Sequence, residues 1–141
     1  MEDQHIKSAK EILEKIHYIN VATVSEDGSP WNTAVSTSYD EQLNFYWGSS
    51  PDNVHSQNMR RDGRVFVTIY DSTVPEGTGQ GLYLLGRAEE LGQEEGTSVC
   101  KYKFTPQQVW INDEAKNEDG GYKYDIRIEL NLSTLKDMLF D

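Results

Sequence analysis

The chain has 141 residues, 13 of them basic and 24 acidic, which gives a formal net charge of −11 and a sequence pI near 4.6. A field of that sign repels nucleic-acid backbones and anionic membrane surfaces, so neither is an expected partner. The length suits one domain over residues 1–141, and no apolar run approaches the roughly 20 residues that cross a bilayer. The single cysteine, Cys100, has no disulfide partner within the chain, and the opening M-E-D-Q-H-I-K lacks the basic and apolar regions of a secretory signal. Both features predict a cytoplasmic protein.

In chain order, Ile6, Ala9, Ile12, Leu13 and Ile16 recur at spacings of three and four, with Lys7, Lys10, Glu11 and Glu14 opposite, which predicts an amphipathic helix. From Ile19 the period becomes two, with Ile19, Val21 and Thr23 alternating against Asn20, Ala22 and Val24, until Glu26-Asp27-Gly28 turns the chain and Pro30 opens a second strand. Leu43, Phe45 and Trp47 mark a third strand ending at Gly48. Ser50 reads as an N-cap, Pro51 as a first helical residue, Arg60 and Arg61 as a last turn and Gly63 as a terminator, so a short helix is predicted over 51–61.

Strands follow at 64–70 and 81–91, separated by the loop D-S-T-V-P-E-G-T-G-Q. Residues 92–104 read as helix or loop because a glycine interrupts them. Gln108 to Asn112 reads as a strand, and the acidic run from Asn112 to Gly121 as a loop. Tyr122, Tyr124, Ile126, Ile128, Leu130 and Leu132 then alternate with Lys123, Asp125, Arg127 and Glu129, which predicts a strand with one buried and one wet face. The tail continues as a short amphipathic helix with Leu132, Leu135 and Leu139 inward. Together these elements predict a mainly β protein, a small barrel of six to seven antiparallel strands with few helices.

Two segments carry chemistry. A-T-V-S-E-D-G-S-P-W-N-T-A-V (Ala22 to Val35) is a hairpin, and F-Y-W-G-S-S-P-D-N-V-H-S-Q-N-M-R-R-D-G-R-V-F-V (Phe45 to Val67) is strand, helix and strand with basic residues at the helix. Ser49, Ser50 and His55 place hydroxyls and an imidazole near a helix N-terminus, which suits a phosphate, whereas Arg60 and Arg61 suit the helix dipole. His5, His17 and His55 have no metal-ligand partners at informative spacing, and no Ser-His-Asp arrangement is legible. The G-T-G-Q-G run at 77–81 precedes a strand where nucleotide loops precede a helix, so its glycines read as bends.

The order of these two segments resembles the pyridoxamine 5'-phosphate oxidase-like family, whose split β-barrels bind FMN at a dimer interface. The resemblance implies that Asn32, Thr33, Ala34 and Val35 lie along the flavin ring edge, and that Trp47, Gly48, Ser49, Ser50 and His55 lie on its phosphate side, although Trp47 also suits the core. Relatives carry a lysine or arginine three positions before an Asn-Leu pair; here H-S-Q-N-M puts His55 in the basic position. Gln80 resembles an amide sent to the flavin's polar edge, and Trp110 an aromatic presented by the partner subunit.

The expected protein is therefore an FMN-binding homodimer, with the cofactor at the interface, that acts as a flavin-dependent oxidoreductase on a small molecule. A deazaflavin-dependent reductase and a non-catalytic flavin-binding or interaction protein are the alternatives. A true pyridoxamine 5'-phosphate oxidase is not expected, because the tail contains no arginine after Arg127 to grip a substrate phosphate in two-point fashion.

Overall fold

The computed structural model describes residues 2–140 and is built on eight antiparallel strands with three helices. Helix α1 (Glu2–Lys15) buries Ile6, Ala9, Ile12 and Leu13, the stripe that its spacing predicts. Strands β1 (Tyr18–Val24) and β2 (Pro30–Ser36) pair from Tyr18 opposite Ser36 to Val24 opposite Pro30. Their turn needs Gly28, whose φ of 88° is left-handed, and Asp27 accepts the Ser29 N–H at 2.9 Å to close it.

The two-residue β3 (Ser38–Tyr39) is too short to carry a period, which is why alternation alone does not reveal it. β4 (Phe45–Ser49) follows, then α2 (Val54–Arg61), β5 (Arg64–Tyr70), β6 (Gly81–Gln93), β7 (Cys100–Lys116), β8 (Tyr122–Leu130) and α3 (Leu132–Phe140). The sheet order is β2-β1-β5-β6-β7-β4-β3, with β8 also on β7. β7 thus serves two partners along one edge. Its first residues pair with β4, from Phe104 opposite Phe45 to Cys100 opposite Ser49, and its later ones pair with β8. This division opens the split β-barrel, whose interior holds Phe45, Tyr102, Phe104, Leu82, Leu84 and Ile111, all 1% exposed or less.

Three expectations are corrected. Residues 92–104 are loop only over 94–99, where the chain turns: β6 runs on to Gln93 and β7 begins at Cys100. The reason is a phase change. Cys100, Tyr102, Phe104 and Pro106 are buried at even positions, Gln107 is an extra residue in the ladder with β6, and burial resumes at odd positions with Val109 and Ile111. A bulge of that kind resets the alternation that identifies a strand. The acidic run from Asn112 is likewise strand as far as Lys116, held by pairing to β8, and only 117–121 turn. Helix α2 begins at Val54, not at Pro51, because Ser50 Oγ accepts the Asp52 N–H in a separate turn and Asn53 takes the N-cap position without a side-chain bond.

β8 has a buried face only at its end. Leu130 is buried and Ile126 and Ile128 are half-buried, while Tyr122 and Tyr124 are 56% and 53% exposed where the β7–β8 ribbon extends beyond the barrel. Helix α3 buries Leu135, with Leu132 and Leu139 against the core, as its spacing predicts.

Gly86 marks the tightest approach in the sheet. A Cβ there would collide with the Thr105 carbonyl oxygen and sit 2.9 Å from Pro106 Cα. Gly86→Ala should therefore lower unfolding free energy by about 3 kcal/mol, since backbone atoms cannot yield as side chains do. Urea denaturation checks this, and a change under about 0.5 kcal/mol would contradict the close packing.

Candidate functional site

The β4–α2 connection is held by a network of polar bonds. β4 points Phe45, Trp47 and Ser49 inward, so the chain reaches its turn with Ser49 buried and Ser50 half-buried. The Ser50 carbonyl accepts the Asn53 N–H at 3.2 Å and the Ser56 hydroxyl at 2.8 Å, tying the turn to the helix it precedes. The first intrahelical bond runs from the Gln57 N–H to the Asn53 carbonyl at 3.0 Å, so the N–H groups of the first turn lie ahead of the ladder.

His55 is 6% exposed and turned into the protein, its Nε2 2.9 Å from Ser49 Oγ. Burial lowers its pKa, because the charged imidazolium is the form that loses hydration. His55 is consequently a neutral group that fixes the Ser49 hydroxyl, in contrast to the exposed cation that its position in the sequence suggests.

Two further side chains dock α2, and sequence reasoning missed both. Asn58 is 3% exposed and donates to Thr23 Oγ1 at 3.0 Å and Ser25 Oγ at 3.2 Å, while Arg61 donates to the Val24 carbonyl. The only available signal was an Asn in the interior of a short helix, where a polar amide needs a reason. These bonds hold the C-terminal half of α2 against the end of β1 and the turn after it, and α2 also touches β2.

β2 is the end strand of the sheet and pairs with β1 alone among the described residues. Asn32 and Ala34 project from the outer face, and Val35 and Thr33 from the inner one. Asn32 Oδ1 accepts the Asn20 amide at 3.1 Å. Along its other edge β2 offers backbone N–H and C=O groups without strand partners, the array that a planar heterocycle with alternating donors and acceptors can use.

The remaining expected site residues lie elsewhere. Trp47 is 4% exposed, stacks on Tyr102 with planes at 15°, and leaves its buried Nε1 without a partner. Gly48 is exposed beside the Val99 side chain. Gln80 is half-buried and donates to the Asn112 carbonyl at 3.5 Å. Trp110, on the outer face of β7, stacks on Phe66. Within one chain, β2 with Asn32–Val35 touches α2, which carries His55 and follows the Ser49–Ser50 turn, whereas Gln80, just before β6, lies three strand spacings from β2, roughly 14 Å along the sheet, and Trp110 on β7 lies four, roughly 19 Å.

The arginines near α2 are engaged. Arg60 donates to Glu90 at 2.8 Å, a carboxylate that also accepts the Tyr102 hydroxyl at 2.7 Å. The Arg60 bond comes first among the causes that lower the Glu90 pKa, and burial is the first cause that pushes Tyr102 up to about 12. Arg64 bonds Asp62 and holds its carboxyl at about 2. Among the described residues, no group of three or more His, Cys, Asp or Glu side chains is arranged to hold a metal ion, and no helix is long and apolar enough to cross a membrane.

Residues 6–116 match the sequence profile of pyridoxamine 5'-phosphate oxidase. No curated protein matches the chain. A protein of unknown function from Agrobacterium tumefaciens str. C58 is similar with a TM-score of 0.68 at 20% identity, over 77% of this chain and 56% of its own. A heme binding protein from Mycobacterium smegmatis is similar with a TM-score of 0.70 at 15% identity, over 94% of this chain and 60% of its own. An FAD-binding protein from Mesorhizobium loti is similar with a TM-score of 0.59 at 19% identity, over 72% of this chain and 88% of its own. The chain thus spans little more than half the length of the first two. At these identities the likeness is one of fold.

The lowered pKa of His55 makes stability depend on pH. The unfolded chain binds the imidazole proton more readily than the folded one, so the contribution is complete above about 6.5 and is lost as pH falls below that value. His55→Gln, which cannot titrate, should flatten the fall in urea midpoint just below pH about 6.5, while both proteins weaken again where the depressed carboxyls protonate. Parallel midpoints for the two proteins across that window would rule out the buried neutral imidazole.

Proposed function

The chain belongs to the pyridoxamine 5'-phosphate oxidase family, and from that premise we propose that it binds FMN as a split-barrel homodimer and serves as a flavin-dependent oxidoreductase acting on a small molecule. The observation that carries this reading is an unpaired β2 edge on the strand that touches α2, the helix that the Ser49–Ser50 turn leads into and is bonded to. The β2 backbone from Asn32 to Val35 fits the donor and acceptor edge of a flavin, and its small side chains fit the ring. Ser50, the Ser49 hydroxyl and the first-turn N–H groups of α2 fit the terminal phosphate, with the helix dipole favouring negative charge there. His55 orients Ser49 and adds no charge.

A flavin bound there supplies the redox chemistry. The chain's own residues bind it, orient it and limit access of water. The fit to a family that commonly binds flavin is supported by an FAD-binding neighbour, while the mycobacterial heme-binding neighbour makes heme the competing pigment. Two of the three imidazoles are already engaged, His55 with Ser49 and His5 with Asp113, which favours flavin over an axially ligated iron.

A second copy is proposed because the outer sheet face carries Tyr18, Val24 and Tyr70, between 41% and 64% exposed, with Phe66, Leu85 and Trp110 half-buried among them. A two-fold partner would cover that face and bring Trp110 of the partner subunit to the β2 edge of the first. An efficient pyridoxamine 5'-phosphate oxidase is disfavoured by the tail: α3 contains no arginine, and its one cation, Lys136, is half-buried beside Asp137.

Purified protein should show a flavin absorption spectrum and release FMN on denaturation, and light scattering should give twice the 16.1 kDa chain mass. Apo-protein should bind FMN about tenfold more tightly than riboflavin, through the phosphate contacts alone. Equal affinities would remove the phosphate site from this reading, and a heme spectrum in place of flavin would overturn it.

A further inference from the structure

Phe66, Tyr83 and Trp110 form an aromatic platform across β5, β6 and β7 on the face that points away from the core. The Phe66 and Trp110 rings stack with centroids 6.1 Å apart and planes at 15°, and Tyr83 is the direct ladder partner of Trp110. Arg127 extends over Tyr83 and Phe66 from β8. Its guanidinium carbon lies 3.9 Å from the Tyr83 ring centroid and 5.4 Å from that of Phe66. A guanidinium lying on a ring uses its flat face for contact and keeps its N–H donors at the rim, in the fork that matches a carboxylate.

Asp125 and Glu129 flank Arg127 two residues away on the same strand face, yet no carboxylate among the described residues pairs with it. The platform therefore combines half-buried aromatic surface with an oriented cation whose anion is not supplied by its neighbours.

We infer that this platform binds a planar aromatic monoanion, with its ring on Phe66 and Trp110 and its carboxylate held by Arg127. A dianion is disfavoured, because each added charge meets Asp125, Glu129 and a chain of net charge −11. The role of the ligand rests on the dimeric flavin reading: with the platform facing the partner's β2 edge, the aromatic acid is the substrate class presented to the cofactor. The geometry of the platform belongs to one chain and does not depend on that reading.

The test uses the full chain and an isosteric pair of probes, benzoate and benzamide. Binding to FMN-loaded protein is followed by the flavin's visible band, and binding to flavin-free protein by tryptophan fluorescence. Benzoate should bind about tenfold more tightly than benzamide, and the dianion phthalate more weakly than benzoate. Arg127→Gln should bring benzoate and benzamide to within about twofold of each other. Arg127→Lys, which keeps the charge and loses the fork, should weaken benzoate at least about threefold and covers the case in which the glutamine variant does not fold.

Lys123→Gln removes the other β8 cation, which lies over Tyr124 at 5.7 Å, and should leave the preference intact. Equal binding of the two probes to wild-type protein, an undiminished preference in Arg127→Gln, or an equal loss in Lys123→Gln would overturn the inference. A protein that takes up no flavin but keeps an Arg127-dependent preference in the fluorescence titration defeats the flavin reading and leaves the platform standing. A flavin-loaded dimer without the preference does the reverse.

Discussion

The fold depends on how β7 meets β6 at Gly86 and Pro106. β7 is seventeen residues long and pairs with β6 from Cys100 to Ile111, and a straight ladder of that length would produce a flat ribbon with one partner on each side. The missing side chain at Gly86, the missing N–H at Pro106 and the extra residue Gln107 break the ladder there and bend it, and a second register shift follows between Glu90 and Gly92. After the bend the same edge of β7 is released from β4 and taken up by β8. The barrel is therefore split where β7 passes from β4 to β8, and the β7–β8 ribbon follows from it.

Electrostatics work locally against a global field of one sign. With 24 acidic residues against 13 basic ones, the chain repels anions at long range. Arg60 and Arg64 are each held by a carboxylate at 2.8 Å, exposed pairs that contribute little to stability but fix where the cations lie. Arg127 differs, since aromatic rings hold it and no acid among the described residues pairs with it. An anion approaching this protein thus finds a guanidinium without a carboxylate partner on the outer sheet face, while the turn before α2 offers dipoles and hydroxyls without a formal charge.

The docking of α2 links the core to the candidate site. Asn58 and Arg61 bond the hairpin formed by β1 and β2, while the Tyr102–Glu90–Arg60 chain ties the same helix to β6 and β7. These bonds hold the C-terminal half of the helix, while Ser56 and His55 in its first turns bond the Ser50 carbonyl and the Ser49 hydroxyl, so the turn ahead of it is tied to the docked helix. His55 completes this arrangement from inside: as a buried neutral group it packs in the interior and presents a nitrogen to Ser49, which a lysine at the same position could not do without carrying its charge into the core.

What the sequence determined is what local pattern encodes. Period-four burial in α1, the Asp27-Gly28 turn, the alternation of β1 and β5 and the leucine spacing of α3 are each set by side chains within a few residues of one another, and each is found where the pattern puts it. The family resemblance was legible for the same reason, since it lies in the order of such segments. Tertiary structure decided the rest. The phase of β7 changes at Gln107 because of contacts with β6 more than a dozen residues away, so no window of the chain reveals a single strand there. The direction of His55, the docking of Asn58 and the stacking of Arg127 on Tyr83 are likewise choices between solvent and a partner that only folding brings near. A periodic pattern reports which face of an element is buried; it carries no record of what lies against that face.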